Sequence, residues 1–268
     1  MLDITVVQPA YFSGEKPDEV IAEFLINELS SVKPGGLIVL PEYSNAGGLS
    51  DAERELAALP RASKMLDAAS RISRERGAYV AINVLERRDG GLKNSTYLFD
   101  KSGSVAFVYD KIHLPPSEVS LGVERGEGDC IFDLDGIRFG FMTCYDVYFN
   151  EQIEYIARHK PDVILIPGYQ RGERTDIICA QAKLTAFRSN AFVARSSYSM
   201  NDDLRGGNSM IVAPDGQIIK NIGKGVGSIS VTVDPKQKYT RTAGFGGGIV
   251  RNDDFINDGL CPAAFCGK

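Results

Sequence analysis

The stretch 130–168, CIFDLDGIRFGFMTCYDVYFNEQIEYIARHKPDVILIPG, holds the pattern on which the fold turns. Asp135-Gly136 is a hairpin signal between two strand-like runs. In the second run Phe139, Phe141 and Thr143 alternate with Gly140 and Met142, and the run stops at Cys144. NEQIEYIARHK then reads as a helix, and PDVILIPG as a short, wholly apolar strand. A strand, a polar turn, a helix and a buried strand in succession are the elements of an α/β layer.

Working outward, LDITVVQPA opens the chain as a strand. PDEVIAEFLINELSSV places Val20, Ile21, Phe24, Leu25 and Leu29 on one helical stripe. PGG breaks it, and LIVLPE is a second apolar strand. LSDAERELAALPRASKMLDAASRISRERG reads as mostly helical, with Pro60 starting a second helix. AYVAINVLERRDGGLKNSTYLFDKSGSVAFVYDKIHL reads as three strands turned at DGG and KSG. Beyond residue 168, DIICAQAKLTAFRSNA is a helix, and FVARSS, GNSMIVAP, QIIKNI and SISVTVD are strands with a turn at Asp215-Gly216. The glycine-rich tail reads as irregular. These elements predict an α/β domain with a mixed sheet or two sheets. With no long polar linker, residues 1–268 are expected to form a single domain, core about 2–235 and tail 236–268. No internal repeat is visible at periods of 20 to 50 residues.

Composition removes several function classes. Hydrophobic content of 43%, charged content of 24% and a net charge of −5 suit an ordinary globular protein. No basic run or basic stripe interleaved with aromatics points to nucleic acid. The opening MLDITVVQPAYF has no basic, long-apolar leader, and the apolar runs are too short to span a bilayer. Five cysteines, at 130, 144, 179, 261 and 266, cannot all pair, and with only His113 and His159 beside them a zinc site is not expected. Unpaired thiols predict a reducing, cytoplasmic setting.

Three apolar strands end abruptly in a chemically useful residue, and α/β folds collect ligands at strand ends. LIVLPE delivers Glu42, where burial would raise the carboxyl toward a general base. A turn-capping carboxylate fits the same position. VAFVYDK delivers Lys111, suited to an oxyanion or a thiolate, or to a solvated strand edge. FGFMTC delivers Cys144 at a strand-to-helix turn, which presents a nucleophile and aims backbone N–H groups at its substrate. A lone cysteine is as readily core filler.

Together these segments resemble the nitrilase superfamily, the carbon–nitrogen hydrolases. LPE around Glu42, YDKIHL around Lys111 and CYDVYFNE around Cys144 are similar to its three signatures, and GNSMIVAPDGQII to a later segment. The resemblance spans roughly residues 2–235. It implies an α-β-β-α sandwich of two mixed sheets flanked by helices. It implies Glu42 as general base, Lys111 as stabiliser of the tetrahedral intermediate and Cys144 as nucleophile. A second glutamate is expected at Glu118, with Glu124 as the fallback, and His113 is left structural. Two departures stand out: Asn150 where the family has proline, expected to loosen the helix start, and Ser189 where it commonly has glutamate.

The implied activity is hydrolysis of a small amide through a cysteine thioester, with Tyr145 N–H as a second oxyanion donor and no metal or organic cofactor. Asp146 is read as ordering the turn after Cys144. Tyr43, Tyr145, Tyr169 and Arg171 are candidate pocket residues. An N-carbamoyl amino acid or ureido hydrolase would use the same triad, with Arg171 or Arg174 taking the substrate carboxylate. The same motifs are compatible with a nitrilase, and the same fold with a non-catalytic binding protein. The family also implies a homodimer or higher oligomer, packed through NEQIEYIARHK and part of the tail.

Overall fold

Among the described residues, 1–49 and 56–260 of this computed structural model, twelve of the strands form two six-stranded sheets. The first contains β1 (Leu2–Gln8), β2 (Leu37–Val39), β3 (Tyr79–Arg88), β4 (Gly91–Phe99), β5 (Val105–Asp110) and β12 (Gly227–Val233), ordered β12-β1-β2-β3-β4-β5. The second contains β6 (Ile131–Leu134), β7 (Ile137–Phe141), β8 (Val163–Pro167), β9 (Phe192–Ser196), β10 (Met210–Val212) and β11 (Ile218–Asn221), ordered β11-β10-β9-β8-β7-β6. Both are mixed: β1, β2 and β3 run parallel, as do β7, β8 and β9, and hairpins complete each sheet.

Side-chain alternation assigns the layers. On β1, Ile4 and Val6 join the core between the sheets, while Val7 faces the outer helices. Helices α1 (Pro17–Leu29) and α2 (Arg61–Arg76) cover the first sheet through Ile21, Leu25, Met65 and Ile72. Helices α4 (Asn150–Arg158) and α5 (Thr175–Ser189) cover the second through Ile153, Ile156, Ile178 and Ala182. The result is the expected α-β-β-α sandwich. Phe107 of β5 closes the seam, its ring 4.8 Å from Phe132 and 4.9 Å from Phe141 of the facing sheet.

The sheets share one connectivity. From β12 to β5 the pairings run antiparallel, parallel, parallel, antiparallel, antiparallel. From β6 to β11 they run in the same order. The repeat lies in topology and spans half the chain, so a scan at short periods passes over it. It makes β2 the counterpart of β8: LIVLPEY ends one, and VILIPGY ends the other.

Two segments differ from the sequence reading. HLPPSE leads into a short helix, α3 (Pro116–Leu121), begun by the rigid φ of Pro116 at its first turn. The tail is not wholly irregular: residues 240–242 and 249–251 pair as β13 and β14, and α6 (Asn252–Asp258) follows. The end of α5 anchors this region, because Asn252 Nδ2 donates to the Phe187 carbonyl at 2.7 Å and Asn190 Nδ2 to Asp253 at 2.6 Å. Part of the helix expected around 49–77 and the last two cysteines lie outside the described residues.

Candidate active site

Three buried charges meet at one end of the first sheet. Pro41 cannot extend the β2 ladder, and the turn after it carries Glu42, 1% exposed. Lys111 follows β5, its N–H donating to the Asn94 carbonyl at 2.9 Å, and is likewise 1% exposed. Glu118 stands in the first turn of α3 and is buried. Lys111 Nζ lies 2.8 Å from Oε1 of Glu42 and 2.8 Å from Oε1 of Glu118. Asn94 Nδ2 bridges the same two oxygens at 2.8 and 3.0 Å. Tyr43 Oη donates to Glu118 Oε1 at 2.6 Å. Glu118 Oε2 is buried with no hydrogen-bond partner among the described residues.

The electrostatics follow from burial. Desolvation alone would pull the Lys111 ammonium down, but Glu42, Cys144 and Glu118 together hold it above its ordinary value. Glu118 is raised, first by burial and then by Glu42, against the opposing pull of Lys111.

Cys144 reaches this cluster from the second sheet. It opens a single 3₁₀ turn, Cys144–Tyr148, in the left-handed region at φ 47°. Asp146 imposes the turn: its Oδ2 accepts the Thr143 N–H at 2.8 Å and the Tyr109 hydroxyl at 2.7 Å. Its Oδ1 accepts the His113 N–H at 2.9 Å and lies 3.0 Å from His113 Nδ1. The His113 ring stacks on Phe149 at 3.8 Å. The Cys144 thiol lies beside the Glu42 carboxylate and the backbone N–H of Tyr169, which act on its ionisation in opposite senses. Burial and then Glu42 push the thiol well above its ordinary value, and Lys111 opposes them. The sulfur therefore rests as a thiol, beside a carboxylate able to accept its proton.

This cluster sits within a recognisable chain. The sequence profile of the carbon-nitrogen hydrolases matches residues 18–240. The protein belongs to that family. Among relatives, it is 29% identical over 226 residues to a 2-oxoglutaramate amidase from Bacillus subtilis, covering 82% of this chain and 86% of the relative. It is 29% identical over 229 residues to a hydrolase from Schizosaccharomyces pombe, covering 79% and 70%. Its fold matches an amidase of the nitrilase superfamily from Nesterenkonia sp. AN1 with a TM-score of 0.74 at 19% identity, covering 88% of this chain and 91% of that one.

In this carbon–nitrogen hydrolase, Tyr169 packs edge-on against Tyr43 and Tyr198, with ring centres 5.5 and 4.9 Å apart. Arg171 lies over the rings of Tyr11 and Tyr169 and donates to Tyr11 Oη at 2.6 Å. Tyr145 stands apart from that group, against Tyr148 and Phe149. The fallback Glu124 is at the surface with Lys93, and Arg174 is at the surface with Asp176. Asn150 is the first residue of α4, whose start has no side-chain cap. The Ser189 hydroxyl is buried and unpartnered among the described residues.

Sequence reasoning missed Asn94, and Asn83 behind it, whose Nδ2 donates to Asn94 Oδ1 at 2.7 Å and whose Oδ1 accepts the Tyr43 N–H at 2.8 Å. It also missed Tyr198, whose hydroxyl donates to the Glu42 carbonyl at 2.8 Å. One signal was available: Asn94-Ser95-Thr96 continues a polar run from Lys93 through the middle of a strand that ends in Tyr97, Leu98 and Phe99.

Proposed function

We propose that this carbon–nitrogen hydrolase cleaves a small amide by nucleophilic attack of Cys144. The observation that carries the reading is one buried cluster: Glu42 and Glu118 both on the Lys111 ammonium, with the Cys144 thiol beside Glu42. Glu42 takes the thiol proton as sulfur attacks the carbonyl carbon. The carbonyl oxygen gains negative charge beside Lys111 and the Tyr145 N–H. Glu118 Oε2, the open acceptor, takes a hydrogen bond from the substrate amide nitrogen. The C–N bond breaks, the proton held by Glu42 passes to nitrogen, and ammonia or an amine leaves a Cys144 thioester. Glu42 then deprotonates water, which attacks the thioester and regenerates the thiol and a free acid.

A substrate that also carries a carboxylate is favoured by Arg171, which has no carboxylate partner among the described residues and lies against Tyr169, whose backbone runs beside the nucleophile. That covers ω-amides of dicarboxylic acids and N-carbamoyl amino acids. The named 2-oxoglutaramate amidases support the first. We further place the protein in the cytoplasm, in keeping with its free thiols. As its assembly we propose a homodimer using α4, where Tyr155 is exposed.

Ammonia release from 2-oxoglutaramate, simple amides and N-carbamoyl amino acids tests the reading. Turnover is expected for at least one amide, with a thioester mass on Cys144 after rapid quench. Undiminished turnover in both Cys144→Ala and Cys144→Ser would overturn it.

A further inference from the structure

Arg195, on β9, is the largest fully buried side chain among the described residues, at 2% exposure. A buried charge is normally paired, because stripping its water costs several kcal/mol that only a close counter-charge repays. Arg195 has no carboxylate partner among the described residues. Its Nη1 donates to the carbonyls of Gly207 and Asn208 at 2.7 and 2.9 Å, and its Nη2 to Gln170 Oε1 at 3.0 Å. All three acceptors are neutral.

Its position gives the reason. β9 pairs with β8 in parallel, Ile166 opposite Arg195, and β8 pairs with β7, the strand that delivers Cys144. The chain leaving β8 passes through Gly168, Tyr169 and Gln170. Gly168 N–H donates to the Ser196 carbonyl at 2.8 Å. The backbone N–H of Tyr169 lies beside the Cys144 sulfur, and Gln170 takes the guanidinium. Arg195 thus grips the turn that runs beside the nucleophile, within electrostatic range of Cys144. Burial pulls its pKa down to about 10, which leaves it charged at neutral pH.

The charge count agrees. Glu42, Glu118 and Lys111 leave the buried cluster one negative charge in excess, whether the mobile proton sits on Glu42 or on sulfur. Arg195 is a second buried cation, on the strand two places along the sheet from the one that delivers Cys144.

Building on the assignment of Cys144 as nucleophile, we propose that Arg195 is a positioning residue that completes the nucleophile's electrostatic environment, steadying the Gly168–Gln170 turn and favouring the Cys144 thiolate over the thiol.

The test reads the thiol directly and needs no substrate, so it fails or succeeds independently of the amidase reading. The rate of iodoacetamide alkylation at Cys144, located by mass spectrometry, is followed against pH in the wild type, Arg195→Gln and Arg195→Lys. The charged groups acting on the sulfur, Glu42 and Lys111, and Glu118 behind Lys111, are unchanged throughout. Glutamine retains a donor and loses the charge, so the midpoint is expected to rise by about one pH unit or more. Alkylation at a pH below the midpoint then slows about tenfold. Lysine keeps the charge, so its midpoint is expected to stay within a few tenths of a unit of the wild type. A folded Arg195→Gln with an unmoved midpoint would overturn the proposal, as would an Arg195→Lys shift as large as that of glutamine. If glutamine prevents folding, Arg195→Met, which also lacks the charge, is read in its place, and an unmoved midpoint there overturns the proposal. With an active amide, kcat is expected to fall more than KM rises. A higher KM confined to anionic amides, with an unmoved midpoint, would assign Arg195 to substrate recognition instead.

Discussion

Glu42 and Glu118 present one oxygen each to the same ammonium, 2.8 Å from Lys111 Nζ on both sides. Two buried carboxylates at such separation repel, and Lys111 makes their coexistence tolerable. Lys111→Met is expected to cost about 3–5 kcal/mol of stability at neutral pH, the range for breaking a buried ion pair from one side. Urea denaturation would measure it. The cost is expected to shrink in mild acid, where one carboxylate takes a proton, and turnover is expected to be lost at every pH.

Glu118→Gln separates stability from activity. Burial first, and Glu42 second, raise the Glu118 carboxyl in the folded state. As pH rises the unfolded chain therefore ionises first, and the folded state loses ground until pH passes the folded value. The stability Glu118 contributes is full below its unfolded pKa, about 4.3, and gone above its folded one. Glutamine has no such loss. The variant is expected to melt no lower than the wild type at pH 7, with its relative stability falling as pH drops toward 4, while turnover declines about a hundredfold. A lower melting temperature with intact turnover would contradict the assignment.

Cys144 holds a left-handed backbone conformation at φ 47°. Such a conformation costs a residue with a Cβ roughly 1–2 kcal/mol, and glycine almost nothing. Cys144→Gly and Cys144→Ala both remove the sulfur and differ in the Cβ. Thermal melts are expected to place glycine about 1 kcal/mol above alanine, the reverse of the usual order inside regular structure. Both variants are expected to be inactive.

His113 ties the nucleophile turn to pH. Its imidazole is raised chiefly by the hydrogen bond to Asp146, against the effect of burial. Raised in the folded state, it contributes stability that is complete below its unfolded value, about 6.5, and lost as pH rises through the folded one. Melting temperatures between pH 6 and 9 are expected to fall in the wild type relative to His113→Asn, in which that slope is absent.

Much of this was legible in the chain. Glu42, Lys111 and Cys144 announce themselves because each ends an apolar run, and a change from apolar to charged at a strand end survives in one dimension. Asn94 and Arg195 do not, because they lie within strands, where period two gives a face without saying what the face meets. α3 escaped because six residues make less than two turns, too few for a helical period to register, and its two prolines read as loop. Arg195 was hidden by convention: an arginine near a strand end reads as a solvent anchor until the facing layers close over it.

The pairing of β12 with β1 joins residues 227–233 to residues 2–8. The sheet bearing the carboxylates and the lysine is thus completed by a strand made after the thiol and its whole sheet. On the ribosome, the edge of β1 stays open until nearly the entire chain has emerged. Every catalytic candidate is already synthesised by then, but the frame that aligns them is not. Catalysis is therefore a late event in biogenesis, and a chain stalled before residue 227 would expose an apolar parallel edge instead of an enzyme.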